Sequence, residues 1–311
     1  MKVGPGIPVN GAPRPGGAAI LDALMSNPAT PGTVIPFALA VVLTAVIRFV
    51  GGTTQGRALA IAAAVVAFLV AFLIIESLPP FPPAAAKQKV FYLVLLALVV
   101  GFALDWSGAP RPFARGALLL FPLIGLAWIG WRPLVAGPDV QLILRLAVLW
   151  LVSAAILWRL MSVSDRGALG PGVQVLVAAA GAAFVALLGN SASLGVLASS
   201  VAAATGGVLS WAFLAAFFSS GRYGFGSVGV LGTGGALLTL VYVLVLFTET
   251  VNLIALAVLA LVFAADRVAA RMPPRGALGR VAQPVVLAAL AAIPAAAAVG
   301  VALIAQDTSP Y

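Results

Sequence analysis

The chain has 311 residues, 63% of them hydrophobic and 8% charged, and it contains no cysteine and no histidine. A soluble domain carries about 25% charged residues, so a soluble globular fold is excluded; disulfides, thiolate chemistry, histidine-ligated haem and most transition-metal sites go with the missing residue types. A formal net charge of +9 would suggest nucleic acid as the partner of a soluble protein, but these basic residues are scattered between apolar runs and read as topology signals and contacts to anionic lipid headgroups.

Residues 1–32 are rich in Gly and Pro, with Lys2 and Arg14 their only basic residues. They have no long apolar core of the signal-peptide kind and are expected to be a disordered tail. Met25-Ser26-Asn27-Pro28 stands directly before the first apolar run and reads as an alternative start.

From there the chain is a succession of continuous apolar runs joined by short polar segments. Continuous runs indicate membrane helices, because a barrel would alternate with period two. The first expected span is Thr33–Val50, with Pro36 in its first turn and Arg48 in its last. Ala58–Ile75 is the second and ends at Glu76; the joint Leu78-Pro79-Pro80-Phe81-Pro82-Pro83 is expected to be a stiff, polyproline-like loop. Lys87 and Lys89 introduce the third, Val90–Leu104, which ends at Asp105-Trp106. Gly116–Trp131 is the fourth, followed by Arg132, and Val140–Met161 the fifth, with Arg145 unusually deep in it. Pro171–Leu188 and Leu194–Phe218 are the sixth and seventh, joined by Gly189-Asn190-Ser191.

The stretch from Ser227 to Ala265 organises the rest. As one helix it would be about 58 Å long at 1.5 Å per residue, against a bilayer core of about 30 Å. It is interrupted once, at Thr248-Glu249-Thr250-Val251-Asn252, so it is read as an eighth span, Ser227–Phe247, and a ninth, Val251–Ala265. The tenth, Val281–Ala305, carries Pro284 and Pro294, and residues 306–311 form a short tail. The fold class is therefore an all-α integral membrane protein, a polytopic bundle of about ten helices without a sizeable soluble domain. Ten spans divide into five and five, with a seam near residues 167–170, the arithmetic of inverted-topology halves.

Loops after odd-numbered spans hold Arg48, Arg57, Arg111, Arg115, Arg159, Arg166, Arg222, Arg267, Arg271, Arg275 and Arg280; the other side holds Lys2, Arg14, Lys87, Lys89 and Arg132, with Arg145 snorkelling that way. The positive-inside rule makes the first group cytoplasmic, so an inner-membrane protein with both termini outside is expected. Joining the eighth and ninth spans would turn four arginines outward, which favours splitting them.

Gly226, Gly229, Gly232 and Gly235 recur every third residue in the eighth span, and Ser199, Ala203 and Gly207 are spaced i, i+4, i+8 in the seventh. Such small residues let helix backbones approach closely. Glu249 is the acid most open to a functional role: drawn below the headgroups it would suit a proton-coupled step, and at an aqueous hairpin tip beside Asn252 it would not. Arg145 is a candidate for holding an anionic group or for pairing with Asp139 or Glu249, and Asn190 opens a mildly polar patch at the start of the seventh span. Glu249, Asn252, Arg145 and Asn190 are thus the candidate substrate or proton pathway.

No Gly-x-Ser-x-Gly elbow, Walker loop, paired catalytic carboxylates or metal-ligand cluster is present, which weighs against an enzyme, and no catalytic residue, metal or cofactor is expected. Three readings compete: a secondary transporter or permease for a small neutral or weakly anionic compound, a non-catalytic membrane subunit or assembly factor of a larger complex, and an enzyme acting on lipid. The expected partners are the bilayer and either other membrane subunits or a second copy of the chain; nucleic acid is not expected.

Overall fold

The computed structural model describes residues 30–51, 59–137, 139–165, 169–218, 224–271 and 277–307. The tail up to residue 29 with its Met25 start, Arg57, Arg166, Arg222, Arg275, residues 167–168 of the expected seam and residues 308–311 lie outside them, as does the side chain of Arg280.

The described residues form helices, turns and loops, with no strand among them. In chain order the helices are α1 (Thr30–Val50), α2 (Ala62–Glu76), α3 (Ala86–Ser107), α4 (Arg111–Ile129), a short α5 (Trp131–Ala136), α6 (Val140–Ser164), α7 (Gly170–Leu188), α8 (Ala192–Phe218), α9 (Gly226–Phe247), α10 (Leu253–Ala260), α11 (Ala265–Ala269) and α12 (Ala277–Asp307). Eight of these, α1, α3, α4, α6, α7, α8, α9 and α12, are long and apolar enough to cross a membrane. The protein is a multi-pass all-α membrane bundle in contact with lipid.

Two of the ten expected spans fall short of that length. The second is found as α2, 15 residues ending at Glu76, about 22 Å at 1.5 Å per residue. It stops there because Ser77 takes a positive φ of 63° ahead of the Pro79-Pro80 joint, where proline cannot continue a helix. The ninth is eight residues of α10, a 3₁₀ turn over Leu261–Ala264, and then α11. The polar break at 248–252 does separate it from α9, and Asn252 closes the turn as N-cap of α10, its Oδ1 accepting from the backbone N–H of Ile254 at 2.8 Å and Ala255 at 3.1 Å.

α9 is the core of the bundle: 78% of its span is buried, against 17% for α1 and for α6. Its glycines explain how so many helices fit around it. Three residues turn a helix by about 300°, so glycines every third residue step round the axis rather than forming one ridge. Gly229 admits Ile61 and Gly232 admits Val65 on the α2 side, Gly234 lies against Leu157 and Leu160 of α6, and Gly235 against Phe121 of α4. Midway, Val230–Gly234 widens into a π-helical turn. The α8–α1 contact is equally close: Gly207 lies against the Phe37 carbonyl and Ala40, and Ser199 Oγ is 2.7 Å from the Val196 carbonyl and 3.2 Å from that of Gly32. Ala203 is half-buried.

The helices alternate in direction, and their polar joints gather at two ends. One end holds the start of α3, the end of α4, the α7–α8 turn and the α9–α10 turn, tied by Thr250 Oγ1 donating to the Gly189 carbonyl at 2.5 Å and by Gln306 donating to the Leu188 carbonyl. At the other, the start of α9 is capped by neighbouring helices: Asp105 accepts from the Ser227 and Val228 N–H groups at 2.8 Å each, and Ser164 Oγ from Gly226 N–H at 2.9 Å. These are orphan donors of a helix N-terminus that would otherwise need water. Gly226 has φ +62°, and a Cβ there would sit 2.5 Å from Asp105 Oδ2, so only glycine fits.

Candidate functional site

The four candidate pathway residues do not converge. Glu249 is exposed at the α9–α10 tip, where it makes no hydrogen bond or ion pair among the described residues. Asn252 has its side-chain oxygen in the α10 cap. Asn190 is exposed with φ +56° in the α7–α8 turn. The structure brings these two turns to the same end through Thr250, but Arg145 lies apart on the exposed face of α6, with no hydrogen bond or ion pair among the described residues. Asp139, its proposed partner, instead caps α6 by accepting from Leu142 N–H at 2.6 Å.

A different set of groups does converge at that end. A cavity of about 340 Å³ opens between the start of α3, the end of α4, the start of α8 and the end of α9, and its lining includes Lys87, Lys89, Arg132, Ser191 and Ser193. Lys87 is neutralised by Glu76, 2.7 Å away. Lys89 has no such partner. Only 7% exposed, it donates from Nζ to the Trp128 carbonyl at 2.6 Å. Burying an ammonium against a neutral carbonyl leaves most of its desolvation cost uncompensated. Arg132 adds a second positive charge on the same cavity, and no carboxylate lines it. Arg132 and the hydroxyls of Ser191 and Ser193 make no side-chain hydrogen bond among the described residues.

Local sequence explains the geometry. Lys87 and Lys89 are two residues apart, about 200° round a helix, so they cannot face the same way. Gln88 Oε1 accepts from the Ala84 and Ala85 N–H groups at 3.0 and 3.1 Å and fixes the start of α3, turning Lys87 to Glu76 and Lys89 inward. The α8 N-terminus reaches the same cavity through Ser191, Ser193 and Leu194, adding the partial positive charge of a helix start. Chemically the site is a set of donors and positive charges over an apolar floor of Ile129, Leu194, Val243 and Phe247. It can bind and orient an anion; it holds no acid–base pair for proton transfer. The lysine spacing was the signal in the sequence, but both lysines read there as flanks of a span.

A second polar cluster lies at the opposite end, where the 3₁₀ turn after α10 frees two carbonyls. Arg159 Nε donates to the Phe263 carbonyl at 2.5 Å and Nη2 to Asp266 Oδ1 at 2.6 Å; Gln174 Nε2 lies 3.2 Å from the same Asp266 oxygen and 3.4 Å from the Val262 carbonyl. Gln174 is fully buried. Every contact in the cluster is internal, so it is a clamp that holds the broken helix to α6 and α7. Among the described residues no group of three or more acidic, histidine or cysteine side chains forms a metal site.

No protein-family model matches the chain, and no curated protein matches it.

Proposed function

We propose that the protein is a membrane carrier for a small organic anion, loaded at the end of the bundle that holds Lys89. The observation that carries this reading is the buried, carboxylate-free Lys89 ammonium in an open cavity. Buried ionisable groups at membrane depth mark substrate and ion pathways, and an uncompensated cation favours an anionic ligand. Of the compounds expected from the sequence, the charge of this cavity supports the anionic class over the neutral one. The charge bias along the chain supports an inner-membrane location with this end outside the cytoplasm.

Uptake by proteoliposomes tests the proposal. The full chain, reconstituted and incubated with a mixture of organic anions and neutral metabolites, should enrich a subset of the anions over protein-free liposomes. Arg132→Gln should cut that uptake about tenfold, the scale of one charge-assisted contact. Equal entry into protein-free liposomes, or enrichment of neutral compounds alone, would overturn it.

The second reading, a non-catalytic subunit of a larger complex, is supported by α6, whose exposed Ile143, Leu144, Val148 and Leu151 form a broad apolar flank on a span only 17% buried. Lipid covers such a flank equally well. A stoichiometric protein partner in native mass spectra of the intact particle would favour the subunit.

A further inference from the structure

We infer that the ligand of the Lys89 cavity is an amphipathic oxyanion, a phosphate or carboxylate head on an apolar body; this rests on the cavity being the loading site of the carrier. The head follows from the donors. Lys89 has three N–H groups and gives one to the Trp128 carbonyl; Arg132 has five; Ser191 and Ser193 each offer a hydroxyl. All the charged groups around this cavity other than the paired Lys87 donate and none accepts, so the matching ligand group is rich in acceptors and negatively charged. Lys89 and Arg132 together leave two positive charges without a carboxylate, which suits a phosphate monoester better than a single carboxylate.

The body follows from the rest of the wall. Ile129, Leu194, Val243 and Phe247 present no polar side-chain atom. A fully hydrophilic anion such as inorganic phosphate would leave that surface wet and gain nothing from it. At about 340 Å³ the cavity is at the small end of ligand sites, which limits the body to a short chain or a single ring system. A soluble metabolite and the headgroup region of an anionic phospholipid share this chemistry.

The test uses the purified full chain in a neutral detergent, with octyl phosphate as probe and octanol and inorganic phosphate as its two halves, read by thermal shift and by binding titration. Octyl phosphate should bind at least about tenfold more tightly than either half. Arg132→Gln and Lys89→Met should each weaken it about tenfold or more while leaving octanol binding unchanged. Arg132 is exposed, so its variant keeps the test alive if Lys89→Met fails to fold. Octanol binding as tightly as octyl phosphate, or Arg132→Gln binding it like wild type, would overturn the inference. Phosphatidylglycerol that co-purifies and is displaced by octyl phosphate would assign the head to a lipid: the inference would stand and the carrier would lose its soluble substrate. Binding of octyl phosphate with no bound lipid would assign a soluble anion. Uptake of hydrophilic anions by a protein that does not bind octyl phosphate would refute the amphipathic ligand and keep the carrier.

Discussion

Gly101→Val should leave little folded protein. A Cβ at Gly101 would lie 2.6 Å from Val228 Cα, 3.0 Å from Val228 N and 3.1 Å from the Ser227 carbonyl. All three atoms are backbone, so no rotamer change relieves the clash. The partner helix cannot step aside either, because Ser227 and Val228 are the residues whose N–H groups Asp105 holds. Inserted methyl groups cost about 1–3 kcal/mol where side chains can move; here two helix axes must separate along the most buried helix of the bundle, and the loss should exceed that range. Total stabilities of about 5–15 kcal/mol leave little margin. Gly116→Ala is the internal control. It sits inside α4 with nothing within 4 Å of the added Cβ, and alanine is favoured over glycine in a helix by about 0.5–1 kcal/mol. Size-exclusion profiles and unfolding midpoints in one detergent compare the two; a wild-type midpoint for Gly101→Val would refute the backbone contact between α3 and α9.

Arg159→Met should give the second large loss. It removes the donor to the Phe263 carbonyl and the charge facing Asp266 together, leaving a carboxylate beside the fully buried Gln174. Deleting one partner of a buried ion pair costs about 3–5 kcal/mol. The Arg159 and Asp266 side chains are 22% and 15% exposed, so about 2–4 kcal/mol is expected after solvent screening. The companion Arg159→Met/Asp266→Leu should recover part of the loss, because no lone charge remains. Equal unfolding midpoints for Arg159→Met and wild type would show that the clamp contributes nothing.

The sequence made the bundle legible because apolar runs and bilayer thickness constrain each other. The interruption at 248–252 and the charge bias divided Ser227–Ala265 into two helices, as the structure does. The two short helices were harder to see. The shortness of α2 is set by Ser77 and the joint behind it, and the 3₁₀ turn after α10 by Arg159 and Gln174, which lie 104 and 88 residues from the carbonyls they bind. The spacing of the α9 glycines was plain, but their partners Ile61, Val65, Phe121 and Leu157 come from three other helices. The same limit hid the anion cavity. Glu249 and Arg145 stand out in one dimension because they interrupt apolar runs, and both are exposed. Lys89 reads as the flank of a span, and becomes unusual only when α4 supplies the Trp128 carbonyl and α8 and α9 close over it.

The anion site can be tested most directly through a single thiol, since the chain contains no cysteine. Ser193→Cys places a near-isosteric nucleophile on the cavity wall. In the purified protein its labelling rate by a soluble maleimide should fall severalfold when octyl phosphate is present, and the protection should disappear when Arg132→Gln is added. A labelling rate indifferent to octyl phosphate, or protection that survives Arg132→Gln, would contradict an anion held between Lys89 and Arg132.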